Sequence, residues 1–220
     1  MKKISAIVLL ISFAVNAFAG KGIVVEQKLV TEHSGASIGV TWYVSDNGCK
    51  MKLTFGDDKV KNSTTYFIPN TQTGSLYMYN DAAVPAGVNK TYYSTPVSSI
   101  TADKIKDGSS LTVTKTGETK EIGGFTCEKI IITTTTTETE TWVTKDFKPD
   151  FYKYYAYFRN SYELAGLSQE KIKGVPLQSV TKDLSGKVIS QTNFVSATKT
   201  DLKETEFTVP SDYVAAPQKN

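Results

Sequence analysis

A two-residue alternation across residues 38–55 constrains this chain more than any other feature. Ile38, Val40, Trp42 and Val44 fall on one face of an extended segment, with Gly39, Thr41 and Tyr43 on the other. Cys49, Met51, Leu53 and Phe55 then share a face opposite Lys50, Lys52 and Thr54. Between the two runs lies Ser45-Asp46-Asn47-Gly48, whose Asn-Gly pair accepts the positive φ angles of a tight hairpin turn. Period two is the signature of a strand with one face wet and one face covered. The segment is therefore a hairpin whose apolar face requires a cover. Ile23–Thr31 reads as the strand before it.

The same signals recur down the chain. Shorter strands are expected around Thr65–Ile68, Ser75–Tyr79 and Leu111–Lys115. Gly123-Gly124 precedes a long strand running from Cys127 to about Val143, with the threonine run 133–137 as its hydroxyl-rich solvent face. Val175–Lys182 and Lys187–Ala197 flank Asp183-Leu184-Ser185-Gly186, a second hairpin signal. Residues 82–106, which hold Pro85 and Pro96, read as loop. About nine to eleven strands at this spacing imply an antiparallel meander that curls on itself.

One stretch breaks the period. Over residues 150–166, Phe151, Tyr155, Phe158 and Tyr162 recur at helical spacing, with Asp150 as N-cap and Gly166 as terminator. The fold class is thus mainly β with one or more helices. The architecture is an incurved antiparallel sheet, a half-barrel, with an aromatic helix in or over its concavity.

The N-terminus indicates the compartment. Lys2 and Lys3 precede an apolar run, Ile4–Val15, and then Ala17-Phe18-Ala19. This is the order of a secretory signal, and the run is too short to span a bilayer. Cleavage after Ala19 is expected, giving residues 1–19 as signal peptide and 20–220 as a single β-rich domain, periplasmic or secreted. No second apolar stretch suggests a transmembrane segment in the mature chain. Lys2 and Lys3 also account for most of the formal net charge of +3, which leaves no basic stripe for a nucleic-acid partner.

The reactive inventory is small. There is one histidine, His33, in a turn-like Glu32-His33-Ser34-Gly35, and there are two cysteines. No metal site, cofactor motif or catalytic constellation is visible, and the chain is read as no enzyme. Export favours a disulfide between Cys49 and Cys127 over two separate buried cysteines.

Three stretches together carry a family resemblance: Ile122-Gly123-Gly124-Phe125-Thr126-Cys127-Glu128-Lys129 with Trp142-Val143-Thr144-Lys145; Lys173-Gly174-Val175-Pro176-Leu177 leading to Asp183 and Gly186; and Phe207-Thr208-Val209-Pro210-Ser211-Asp212-Tyr213. In this order they resemble an uncharacterised family of exported bacterial proteins similar to the lipoprotein-carrier (LolA/LolB-like) fold. The resemblance implies an incurved sheet with helices in its concavity, and a binder or carrier of a lipid or an acylated protein. The apolar cup candidates are Val40, Trp42, Met51, Leu53, Phe55, Phe151, Tyr155, Phe158 and Tyr162. The alternative is an interaction or sensor module that engages an envelope protein and whose cup is packed solid.

Overall fold

In the computed structural model the described residues are 22–32, 35–56, 63–81, 88–98, 111–148, 151–158 and 161–217. The expected signal peptide, His33 and Asp150 lie outside them. Twelve strands form one curved, open sheet. In chain order they are β1 (Gly22–Thr31), β2 (Ser37–Ser45), β3 (Cys49–Phe55), β4 (Ser63–Asn70), β5 (Ser75–Asn80), β6 (Lys90–Pro96), β7 (Thr112–Ile122), β8 (Phe125–Thr133), β9 (Thr137–Thr144), β10 (Val175–Asp183), β11 (Val188–Thr200) and β12 (Tyr213–Ala215). Their order across the sheet is β12-β6-β5-β4-β3-β2-β1-β11-β10-β9-β8-β7.

Two antiparallel meanders therefore run outward from the centre, and β1 joins them by pairing with β11. The short β12 adds parallel to β6 at one edge. The hairpin over 38–55 has the register that its alternation demands: Trp42 faces Met51 and Val40 faces Leu53.

Between β9 and β10 the chain crosses the covered face. α1 (Tyr152–Tyr155) runs into a 3-10 turn at Ala156–Phe158, and α2 (Tyr162–Gln169) follows. Ile23, Val25, Trp42 and Val44 from the sheet join Phe151, Tyr155, Phe158 and Leu167 in the main core. Gly166 lets α2 lie close to the sheet, because a Cβ there would press on Ile132 of β8 and Val113 of β7.

Several expectations are corrected. The single helix over 150–166 is two short helices, because Ser161 is extended (φ −92°, ψ 122°) and starts α2 as its N-cap. Tyr162 consequently leaves the aromatic face and is 39% exposed. Gly166 sits inside α2 rather than ending it. The threonine run is a hairpin tip and not one long strand. The Thr134 hydroxyl accepts the backbone N–H groups of Thr136 and Thr137, closing a turn without glycine or proline. Residues 90–96 form β6 where a loop was expected. Pro96 is the strand's last residue, where its missing N–H costs no interior ladder bond.

The expected Cys49–Cys127 disulfide is also overturned: both cysteines are free and buried. β3 and β8 stand six strand spacings apart in the sheet order, or roughly 29 Å along the sheet at about 4.8 Å per strand. Burial pushes the Cys127 thiol up to about 11 and raises Cys49 as well, which keeps both protonated.

Candidate functional site

Seven of the nine cup candidates fall into two groups. Phe151, Tyr155 and Phe158 are fully enclosed, at most 3% exposed. Trp42 meets Phe151 edge-on at 4.9 Å between ring centroids and Phe158 at 5.0 Å, the geometry aromatic quadrupoles favour. The Tyr155 hydroxyl donates to the Gly174 carbonyl. A Cβ on Gly174 would strike the Thr144 backbone, so only glycine lets the strand entry pass so close. This side of the concave face is a packed aromatic core.

Val40, Trp42, Met51 and Leu53 instead form part of the wall of a cavity of about 330 Å³. Phe55 shares their face at the end of β3 but is 36% exposed and lies outside the lining. The remaining lining comes from residues that sequence reasoning missed: Gln27, Leu29, Ser161, Glu163, Leu164, Pro176, Gln178, Ser179 and Thr192. A second cavity of about 400 Å³ shares Leu29, Ser161, Glu163, Ser179 and Thr192 with the first and adds Thr137, Thr139, Tyr162, Thr181, Ile189 and Ser190. Tyr162 thus lines this second space and not the aromatic core.

The register explains the composition. One row of the sheet runs Thr141–Ser179–Thr192–Leu29–Ile38–Phe55 through successive pairings of β9, β10, β11, β1, β2 and β3. The row changes from hydroxyls to hydrocarbon at β1. The neighbouring row places Gln27 beside Val40 and Val40 beside Leu53. The floor therefore carries hydroxyls under β9–β11 and mainly hydrocarbon under β1–β3, with Gln27 the polar exception.

Polar groups on this floor are held in fixed positions. The Gln27 amide donates to the carbonyls of Pro176 (2.8 Å) and Leu177 (3.1 Å), and its oxygen accepts the Trp42 indole N–H at 3.0 Å. Glu163 enters from the first turn of α2. Its carboxyl accepts hydrogen bonds from Thr141 at 2.6 Å and Ser179 at 3.4 Å. Burial pushes the Glu163 carboxyl above the ordinary carboxylate range, and these two hydroxyls oppose that rise only in part. The ion pairs Lys50–Glu206, Lys90–Asp212, Lys129–Glu118, Lys129–Glu140 and Lys145–Glu128 do not engage Glu163. Among the described residues no lysine, arginine or histidine lines either cavity.

Among the described residues no group of histidine, cysteine and carboxylate side chains is placed to hold a metal ion. No helix there is long and apolar enough to cross a membrane.

Comparison with solved structures shows the fold. The chain is similar to PNGF-II at 13% identity and a TM-score of 0.50, over 89% of this chain and 32% of that one. It thus spans about a third of PNGF-II's length. An uncharacterized conserved protein from Thermus thermophilus is similar at 11% identity and a TM-score of 0.50, over 90% and 92% of the two chains. The MucA/MucB complex of Pseudomonas aeruginosa gives 12% identity and a TM-score of 0.46, over 87% and 56%. No curated protein matches the sequence. A family model described as a domain of unknown function, DUF4412, matches residues 22–213. The chain, with its incurved sheet and the helices packed against the covered face, belongs to the DUF4412 family.

Proposed function

We propose that this protein is an exported, non-enzymatic envelope protein that binds or carries a hydrophobic ligand, a lipid or an acylated protein, in the concavity of its sheet. The observation that carries the reading is the cavity walled by Val40, Trp42, Met51 and Leu53. About 330 Å³ lies within the range of small-molecule sites, and an apolar wall with a few fixed polar groups is their usual make-up. The signal-like N-terminus supports an envelope location. The aromatic core supports the cavity by packing Phe151 and Phe158 edge-on against Trp42.

Filling the cavity tests this. The unmutated protein is expected to enhance the fluorescence of an uncharged naphthyl probe. Leu53→Trp should abolish the enhancement while keeping a cooperative urea transition. Mass spectrometry of protein extracted from its native envelope should find an apolar molecule bound. Absence of both probe uptake and a co-purifying ligand would leave the interaction module as the function.

A further inference from the structure

The two cavities meet at Glu163, and their chemistry differs on its two sides. Toward β1–β3 the wall is Leu29, Val40, Trp42, Met51 and Leu53. Toward β9–β11 it carries the hydroxyls of Thr139, Thr181 and Ser190, with Ile189 among them. Thr139 and Thr181 are themselves hydrogen-bonded across the strands at 3.0 Å. An amphiphile fits this gradient in one direction only, with its chain under β1–β3 and its head under β9–β11.

We propose that the site selects an amphiphile whose head carries an ammonium group, and that the Glu163 carboxylate is its anchor. This rests on the binding function proposed above and specifies the ligand's charge. The argument is one of sign. A carboxylate taken from water into a cavity is costly unless a cation or enough donors compensate it. Thr141 and Ser179 supply two hydroxyl donors, and the described lining residues supply no cation. A ligand ammonium completes the set with a charge-assisted hydrogen bond, the stronger kind. It also stabilises the ionised form that burial disfavours. An anionic head, such as a fatty carboxylate or a phosphate lacking an amine, would bring a second negative charge against Glu163.

Calorimetric titration with three ten-carbon probes, decylamine, decanol and decanoate, below their micellar concentrations, tests the proposal. The unmutated protein should bind decylamine about tenfold or more tightly than decanol, with decanoate weakest. Glu163→Gln should reduce decylamine affinity to that of decanol, and a cooperative urea transition reports that the variant is folded. Decanoate binding as tightly as decylamine, or an amine preference that survives Glu163→Gln, would overturn the assignment while leaving the cavity function intact. Failure of all three probes to bind the unmutated protein would overturn both. Should Glu163→Gln fail to fold, the order of the probes on the unmutated protein still decides.

Discussion

The packed aromatic centre and the cavity beside it are built from the same strands yet solve opposite problems. Around Trp42, the rings of Phe151 and Phe158 close edge-on, and all three side chains are buried. Two residue pairs further along the same strands, Val40 and Leu53 line the cavity, and the facing helix contributes Glu163 and Leu164 to it. The helical crossing accounts for the change. α1 and its 3-10 turn present aromatic rings to the sheet, whereas α2 presents Glu163 and then Leu164. Close packing stabilises the first region, and the second trades packing for access. Trp42 belongs to both, with its ring in the core and its indole N–H turned to Gln27 on the cavity floor.

Truncation should expose this difference most strongly. Phe158→Ala removes a ring packed on all sides and should cost about 3–5 kcal/mol in urea unfolding. Leu53→Ala removes a half-buried side chain whose outer surface already borders the cavity, and should cost about 1 kcal/mol. Equal losses at the two positions would break the distinction between a solid core and an open cup.

Trp42→Phe sharpens the boundary between the regions. The ring contacts survive in part, but the Gln27 oxygen loses its donor. A stability loss of about 1–3 kcal/mol is expected. Pairing it with Gln27→Met should cost less than the sum of the two single changes, because the Trp42–Gln27 bond is lost only once. A double-mutant cycle that shows simple additivity would contradict a fixed Trp42–Gln27 contact.

Much of the fold could be read before any coordinates. Alternation over 38–55 places Val40, Trp42, Met51 and Leu53 on one face, and the register keeps them there. The helix broke differently because aromatic periodicity says nothing about backbone continuity. Ser161, a good N-cap residue in an otherwise aromatic stretch, was the available sign. The polar half of the site was hidden for another reason. Glu163, Thr141, Ser179 and Thr192 come from four elements and meet only through sheet pairing. Gln27 was more legible: in Ile23-x-Val25-x-Gln27-x-Leu29 it is the one polar residue on an apolar face, and it is buried. The free cysteines show the limit of arguing from compartment alone, since oxidation permits a bridge only where strand order brings two thiols together.

The buried carboxyl gives the cavity a pH signature that the aromatic core lacks. Burial raises Glu163 above its unfolded value of about 4.3. Between those two values the folded protein binds more protons than the unfolded chain, so this group makes stability fall as pH rises through that window and then level off. Glu163→Gln should remove the fall. Its stability relative to the unmutated protein should therefore be higher at pH 7 than at pH 4, measured as urea midpoints at the two values. A constant difference between the proteins would mean that Glu163 ionises as it does in water.

The smallest effect is expected where α2 ends, on the packed side. Lys171 holds φ 51°, the only positive φ at a non-glycine position among the described residues. Its N–H bonds to the Ser168 carbonyl and that of Ile172 to Leu167, the paired bonds of a helix terminus that normally uses glycine. Ile172 and Leu167 are both buried there, so the terminus is fixed by packing despite the strained residue. Lys171→Gly relieves the left-handed strain but adds backbone freedom to the unfolded chain, and the two partly cancel. A net gain of about 0.5 kcal/mol is expected, against a loss for the β-branched Lys171→Val. Neither change should alter decylamine binding, because Glu163 sits at the other end of the helix. If Lys171→Gly weakened the amine while stabilising the fold, the position of Glu163 would depend on strain at the C-terminus of α2, and core and cavity would act as one unit.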